Sequence, residues 1–289
     1  MYLDRFTLPG QDREDAYLGQ LRRTCYDSRY PFGVFRYRGL PPLEFAPITI
    51  LCGGNGSGKS TVLNVLAQAL GIPHGTVFNR THFFEDYAAL CQTQATPFFT
   101  EEVRRRSRIL TSDDVFDYLL NLRTLNEGIT QKREELLREY TQMRYSSFQL
   151  RSLADYEELK KHADATAKSG SQYVRQNLMR EAPCGSNGES ALHFFTEAIT
   201  EEALYLLDEP ENSLSPLFQR ELAEFLSQSA RFFGCQLVIA THSPFLLALP
   251  EARVYDLDAR PPQVRTWTDL EHIRVYRDFF RQHASEFQE

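Results

Sequence analysis

Several things are scarce in this 289-residue sequence. Its five cysteines (Cys25, Cys52, Cys91, Cys184 and Cys235) are odd in number, scattered, and never spaced as CxxC. That pattern argues against a disulfide framework or a zinc knuckle, and the expected home is a reducing cytoplasm. Basic charge is not in excess: 32 Lys and Arg stand against 39 Asp and Glu, a formal net charge of −7. A surface coated for nucleic acid is therefore not expected, although a local basic groove is still allowed. No run approaches the roughly 18 apolar residues of a membrane span, so no membrane partner is expected. The opening MYLDRFTLPGQDREDAY is charged from position 4 and holds no apolar core of a secretory signal. There is no internal repeat and no long low-complexity tract.

What is present is ordinary for a globular chain: 42% hydrophobic and 25% charged residues. The length suits one large domain or two small ones. Ile48 to Cys52 is a β-branched apolar run, as a strand buried on both faces should be. From Ser60, Val62, Leu63, Leu66 and Leu70 share one helical face, and Gly71 supplies a stop. Upstream, FGVFRYRGL and LEF read as short strands of a small sheet, bounded by Pro31 and by Pro41–Pro42. Ala203 to Leu207 and Leu237 to Thr241 are two more strands. Between them Ser215–Pro216 opens a helix whose buried face is Leu217, Phe218, Leu222, Phe225 and Leu226. Strands alternating with helices imply a mostly parallel sheet covered on both sides.

The middle of the chain changes character. Thr111-Ser112-Asp113-Asp114 resembles a capping box, and Val115, Phe116, Leu119 and Leu122 follow at helical spacing. Gly128 is a potential break. Leu136, Leu137, Tyr140, Met143 and Ser147 continue a helical face, and a third helix opens behind Ser152. ATAKSGS (165–171) reads as a mobile link. Segment 101–183 carries 15 basic against 14 acidic residues, the remainder 17 against 25. The expected organisation is a discontinuous core, 1–100 with 184–289, interrupted by a helical insertion at 101–183. At the far end, Leu270, Ile273, Tyr276 and Phe280 fit a helix packing on the core.

Three motifs carry chemistry. Gly53-Gly54-Asn55-Gly56-Ser57-Gly58-Lys59-Ser60-Thr61 fits the phosphate-loop pattern G-x-x-x-x-G-K-[ST] and sits between a strand and a helix. Small residues let successive backbone N–H groups curl around an anion, and the following helix directs its positive end there. Lys59 would reach the β- and γ-phosphates, and the Ser60 hydroxyl would join a Mg²⁺ shell. In ALYLLDEP, Asp208 and Glu209 end a buried strand, the edge where open α/β sheets bind ligands. Asp208 suits the Mg²⁺ and Glu209 an attacking water. In IATHSP, His242 ends a neighbouring strand and is placed to sense a γ-phosphate. A fourth stretch, Gly185-Ser186-Asn187-Gly188-Glu189-Ser190, again opens a helix with small residues. One nucleotide does not need two such loops in one chain, so the second is expected to cover a nucleotide held by another copy.

The order phosphate loop, GSNGES, YLLDEP, ENSLSP, THSP resembles that of ABC-type ATPases, nearest the soluble branch typified by RecF and SMC proteins and the small stand-alone bacterial AAA-family ATPases. The resemblance implies an α/β P-loop NTPase fold with a small N-terminal antiparallel β portion, and an ATPase using ATP and Mg²⁺. It further implies catalytic roles for Lys59, Glu209 and His242, with Ser60 and Asp208 at the metal. Ser186, Asn187, Gly188 and Glu189 would be signature contacts made in trans within an ATP-dependent homodimer. Ser213, Leu214 and Ser215 would form the loop coupling its two sites. Gly185 and Asn187 depart from the usual signature, and Glu189 suits the soluble branch. Gln92 and Gln94 are candidates for the glutamine that joins the metal site, and Tyr30 or Phe32 for an aromatic under the adenine. The insertion lacks the long heptads and zinc hook of large SMC-type proteins. The output is expected to be an effector protein, such as a nuclease or toxin in a defence module, or nucleic acid contacted by Arg104, Arg105, Arg106 and Arg108. The run beside Glu101 and Glu102 also reads as a salt-bridged helix start. A transporter subunit is the weakest reading.

Overall fold

The computed structural model describes residues 1–21, 25–146, 156–181 and 185–287. Ser147, Ser152 and Cys184 lie outside the described residues. The chain divides into two compact units, Met1–Phe116 with Asn187–Glu289, and Asp117–Ser186.

The first unit opens with β1 (Leu3–Thr7), α1 (Gln11–Gln20), β2 (Leu43–Glu44), β3 (Ile48–Cys52) and α2 (Lys59–Leu70). It continues through α3 (Phe84–Leu90), β4 (Gln92–Ala95), α4 (Glu101–Arg106), β5 (Arg108–Thr111) and the first turn of α5 (Ser112–Tyr145). The rest of α5, with α6 (Tyr156–Ala167) and α7 (Gly170–Asn177), forms the second unit. The chain then returns to the first unit with α8 (Asn187–Ala198), β6 (Leu204–Asp208), α9 (Pro216–Phe232), β7 (Gln236–Ala240), α10 (Pro244–Leu247), β8 (Arg253–Asp256), β9 (Gln263–Val264) and α11 (Glu271–Gln282).

Six strands form the main sheet in the order β5-β6-β7-β3-β8-β9, all parallel except the β8–β9 pair. The central strands β3 and β7 are buried along their whole length, which is why their sequences run apolar instead of alternating. This mostly parallel α/β sheet is the expected P-loop fold. The crossover helix α9 buries Leu222 and Leu226, whereas α2 is buried on most of its circumference, with Val65 and Ala67 as covered as Val62, Leu63, Leu66 and Leu70. Gly71 stops α2 in the left-handed conformation. Ser215 caps α9 with Pro216 in its first turn. Leu217 departs from expectation and is 55% exposed, because it lies in the first turn, off the face that meets the sheet.

The small antiparallel sheet, β2-β1-β4, is built differently from the sequence expectation. Glu44 pairs with Arg5, so LEF does contribute a strand. FGVFRYRGL does not: its amides bond within the segment, Val34 N–H to the Pro31 carbonyl and Arg38 N–H to that of Phe35, which leaves no ladder to offer. Its place is taken by β4, whose residues QTQA are all exposed and carried no hydrophobic signal.

The units divide at Asp117 and Ser186 instead of at 101 and 183. The reason is β5, which runs along β6 from Arg108 opposite Tyr205 to Thr111 opposite Asp208. Thr111 and Asp114 bond reciprocally (Thr111 N to Asp114 Oδ2 2.8 Å, Asp114 N to Thr111 Oγ1 3.2 Å) and start α5. Gly128 does not interrupt that 34-residue helix. In the second unit Leu136, Tyr173 and Val174 form a small core with Tyr140 and Leu178 against it, whereas Leu137 is exposed. ATAKSGS joins two helices through only Lys168 and Ser169: it holds the last turn of α6 and the start of α7, where Ser169 and Gln172 form a capping box. Leu270, just before α11, and Ile273 in its first turn are buried, and Tyr276 and Phe280 are half exposed.

Candidate functional site

The parallel sheet brings three chain segments to one edge. Strands β3, β6 and β7 all end there, and the phosphate loop, Asp208–Glu209 and His242 follow directly from their C-terminal tips. Lys59 and Ser60 open α2, so they stand at a helix N-terminus as an anion site requires. Gly58 takes a φ of +96°, and a Cβ there would come within 2.5 Å of Phe35 Cζ. Only glycine fits this turn of the loop.

Lys59 is the hub. Its Nζ donates to the carbonyls of Gly53 (2.8 Å) and Gly54 (3.3 Å) and to His242 Nε2 (2.8 Å), and lies 3.8 Å from Glu209 Oε1. An ammonium can only donate, so this arrangement puts the imidazole lone pair on Nε2. The same Glu209 oxygen is 3.6 Å from His242 Nε2. Glu209 has a φ of +49°, rare for a non-glycine residue, and its backbone is fixed by Glu209 N–H donating to Ala240 O at 2.9 Å. Asn212 Nδ2 donates to the other carboxylate oxygen at 2.9 Å. Such strained backbones persist where the surroundings over-determine them, and they cluster at functional sites.

Ser60 Oγ donates to Asp208 Oδ1 at 3.0 Å. Burial pushes the Asp208 carboxyl up to about 6, opposed by the Ser60 bond and Lys59, and Glu209 raises it further. A carboxylate and a hydroxyl side by side are an oxygen donor pair suited to Mg²⁺, and a cation there would favour the ionised carboxylate. The phosphate loop passes its own test. Ser57 Oγ is buried without a hydrogen-bond partner in the middle of the loop, beside an ammonium and a helix start, as an anion's cradle would be. Thus Lys59, Ser60, Asp208, Glu209 and His242 converge.

The other sequence candidates fall around this cluster. Thr61 Oγ1 accepts from the Tyr30 hydroxyl at 3.0 Å. Phe32 is buried, stacked on Tyr17 at 4.9 Å and edge-on to Tyr87, so its faces are taken and it is not an adenine platform. Gln92 and Gln94 lie on β4, in the antiparallel sheet and not in the sheet whose strand tips carry the site. The position flanking Asp208 belongs to Thr111 at the tip of β5. Ser213, Leu214 and Ser215 form the turn between β6 and α9, with Leu214 buried. Gly188, in the first turn of α8, meets Phe218 and the Ser213 carbonyl, where a Cβ would come within 2.8 Å of Phe218. Asn187 and Glu189 share that turn, and Ser186 precedes it.

Sequence reasoning missed three contributors. Arg38 donates to the carbonyls of Gly56 (3.0 Å) and Ser57, bracing the loop from a segment read as a strand. Asp258, just beyond β8, accepts from Gly54 N–H at 2.5 Å. Glu211 bonds the turn around His242 and appeared in the sequence only as part of ENSLSP. None of the three has a spacing signal, because each acts from a separate element. A cavity of about 490 Å³ opens beside Gly53 and Gly54, lined by His242, His272, Asp256, Asp258 and Arg265. His272 is lowered below its ordinary value, first by burial and then by His242.

The basic run is internally paired. Arg104 bridges Glu101, Arg106 bridges Glu102, and Arg105 lies 3.4 Å from Glu101. Arg108 donates to the carbonyls of Arg105 and Ser107. No helix among the described residues is long and apolar enough to cross a membrane.

The chain is similar, over 74% of its length and 83% of the other's, to a dimeric ATP-binding cassette, MJ0796, solved in a post-hydrolysis state with ADP and Pi (16% identity, TM-score 0.35). It is also similar to an Smc head domain from Pyrococcus furiosus, bound to the C-terminal domain of ScpA (12% identity, 98% and 99% coverage, TM-score 0.41). A search of curated proteins returned no match. Residues 94–248, more than half the chain, match the family described as "AAA domain, putative AbiEii toxin, Type IV TA system", and the chain belongs to that AAA family of P-loop ATPase domains.

Proposed function

We propose that the protein binds and hydrolyses ATP, and that two copies close head to tail around two nucleotides. The observation carrying this reading is the convergence of Lys59, Glu209 and His242 with the Ser60–Asp208 pair at the tips of three adjacent strands. The phosphate loop and Lys59 hold the β- and γ-phosphates. Ser60 and Asp208 hold Mg²⁺, which when bound supplies positive charge to the phosphate oxygens. Glu209 orients and deprotonates the attacking water, and His242 contacts the γ-phosphate. Tyr37, 75% exposed between Arg36 and the loop-bracing Arg38, is a ring available to stack on the base.

In the closed dimer Ser186, Asn187, Gly188 and Glu189 of one copy cover the γ-phosphate held by the other, and Ser213 to Ser215 lie at the interface. A Cβ at Gly188 would lie 3.7 Å from the Ser213 carbonyl oxygen, and this nearness supports treating Gly188 and Ser213 as neighbours on one surface. The second unit is the output, and its partner is an effector protein of a defence module. Pairing within the Arg104–Arg108 run favours this over nucleic acid, since those guanidinium groups already have partners. The family's description as a toxin–antitoxin component points the same way.

Glu209→Gln tests the reading. Hydrolysis should fall by about 100- to 10,000-fold, while saturating Mg·ATP yields a long-lived dimer by light scattering. A variant that remains monomeric under those conditions rules out the sandwich.

A further inference from the structure

The turn that carries His242 is held by a side chain with no part in phosphate or metal binding. Glu211 is 8% exposed, and its Oε1 accepts three hydrogen bonds: from Thr241 Oγ1 (2.7 Å), His242 N (2.6 Å) and Ser243 N (3.1 Å). Its Oε2 is buried with no hydrogen-bond partner. Leaving a buried carboxylate oxygen unsatisfied is destabilising, so a residue chosen for stability alone would be an unusual choice here. What the charge gains is a grip on three consecutive residues through one atom.

Glu211 also lies two residues before the Ser213–Ser215 turn proposed to meet the second copy. Its carbonyl accepts from Leu214 N–H at 2.9 Å. A second bridge runs in parallel: Gln219 Nε2 donates to the Leu214 carbonyl at 3.0 Å, and Gln219 Oε1 accepts from Ser243 Oγ at 2.8 Å. Glu211, through its side chain and its backbone carbonyl, and Gln219, through its side chain, therefore tie Leu214 to residues 241–243. Glu209 lies two residues before Glu211, and Asn212 Nδ2 holds its carboxylate.

We infer that Glu211 and Gln219 are positioning residues that transmit displacement of the Ser213–Ser215 turn to His242, setting its distance from Glu209 and Lys59. This deepens the proposed ATPase reading and rests on it: contact with a second copy at 213–215 would regulate hydrolysis through these two side chains.

The test uses the full chain and ATP. Glu211→Ala should lower kcat by about 10- to 100-fold, the scale of a misplaced catalytic group, and leave KM and ATP affinity unchanged. Glu211→Gln keeps an acceptor oxygen for the same three donors and should stay close to wild type. Gln219→Ala should show a smaller loss of kcat. On a His242→Ala background, Glu211→Ala should have no further effect. Multiplying losses on that background, or a Glu211→Ala enzyme with wild-type kcat, would overturn the inference. A second readout does not need hydrolysis. The His242 ring resonances in NMR, assigned with His242→Ala, should move in Glu211→Ala and hold in Glu211→Gln. Unmoved resonances overturn the inference even if the chain proves not to hydrolyse ATP, whereas moved resonances in an inactive wild type reject the ATPase reading alone.

Discussion

The two compact units use the same amino acids in opposite ways. In the sheet unit, β3, β6 and β7 bury Ile50, Leu51, Leu206, Leu207, Val238 and Ile239 completely, and the buried charges Lys59, Glu211 and Asp256 lie at or just beyond the strand tips, with Glu14 on α1 as the exception among the described residues. In the helical unit the buried hydrophobics among the described residues are Ile129, Leu136, Ala165, Tyr173 and Val174, while Leu120, Leu125, Leu137, Tyr145, Tyr156 and Met179 are 41–80% exposed. Its helices lean on local devices: the Ser169–Gln172 capping box and the surface pairs Arg133–Glu181, Lys161–Glu139 and Lys168–Asp164. Surface pairs of this kind are worth about 0–1 kcal/mol each. Rigid burial suits a site that must hold charges within hydrogen-bond distance. Sparse burial suits a segment that must change conformation at little cost, since mobile elements come from the low-stability end of a structure.

The strongest way to break this contrast is Lys59→Ala. Lys59 is 4% exposed, and its ammonium is the one group that touches the loop carbonyls, His242 and Glu209 together. Charge-assisted bonds to phosphate contribute about 1.5–3 kcal/mol each, so ATP affinity measured by calorimetry should fall at least about 100-fold. The helical unit should be untouched, with the far-ultraviolet dichroism of its helices retained. Near-wild-type affinity would remove the phosphate loop from the account.

A smaller effect separates the cores. Leu206→Ala empties a fully buried position in the main sheet and should cost about 3–5 kcal/mol. Leu136→Ala, in a cluster that solvent and neighbours can more easily fill, should cost about 2–3 kcal/mol. The prediction concerns where the loss appears. Hydrogen exchange should rise throughout the sheet for Leu206→Ala, but within residues 117–186 for Leu136→Ala, with ATP affinity unchanged. Matching exchange patterns would mean one cooperative unit.

Legibility in the sequence follows the same divide. The phosphate loop, Asp208, Glu209 and His242 could be read because each follows a run such as ITILC or LYLLD, buried on both faces and therefore continuous in hydrophobicity. Their meeting point follows from parallel strands sharing one edge. Strand β4 was not readable, because QTQA is exposed on every residue. Nor was β5, which looked like part of a basic helix and is held in the main sheet by pairing with β6. Gln92 and Gln94 were placed by residue type, and strand order puts them in the other sheet. Arg38, Asp258 and Glu211 act on backbone atoms, and backbone atoms leave no trace in a side-chain pattern.

The smallest effect probes the one charge that, among the described residues, is fully buried in the sheet unit away from the site. Glu14 on α1 is fully buried, accepting from Gly33 N–H at 2.9 Å and from the Tyr87 hydroxyl at 3.3 Å. Burial raises its carboxyl above the ordinary value, and the bonds to Gly33 and Tyr87 only partly oppose this. A carboxyl raised in the folded state binds protons more readily there than in the unfolded chain. Stability is therefore lost as pH rises from the unfolded value through the folded one, and the whole penalty is present above both. Glu14→Gln removes the titration while its amide can still accept from Gly33 and donate to the Tyr87 oxygen. The melting temperature of the variant should exceed that of wild type near pH 7, and the gap should close as pH falls below the ordinary carboxylate range. If the helical unit unfolds in a separate transition, that transition should not move at any pH. A gap that widens toward acid would show instead that the ionised carboxylate is a net stabiliser, and that the sheet unit tolerates internal charge away from its phosphate loop.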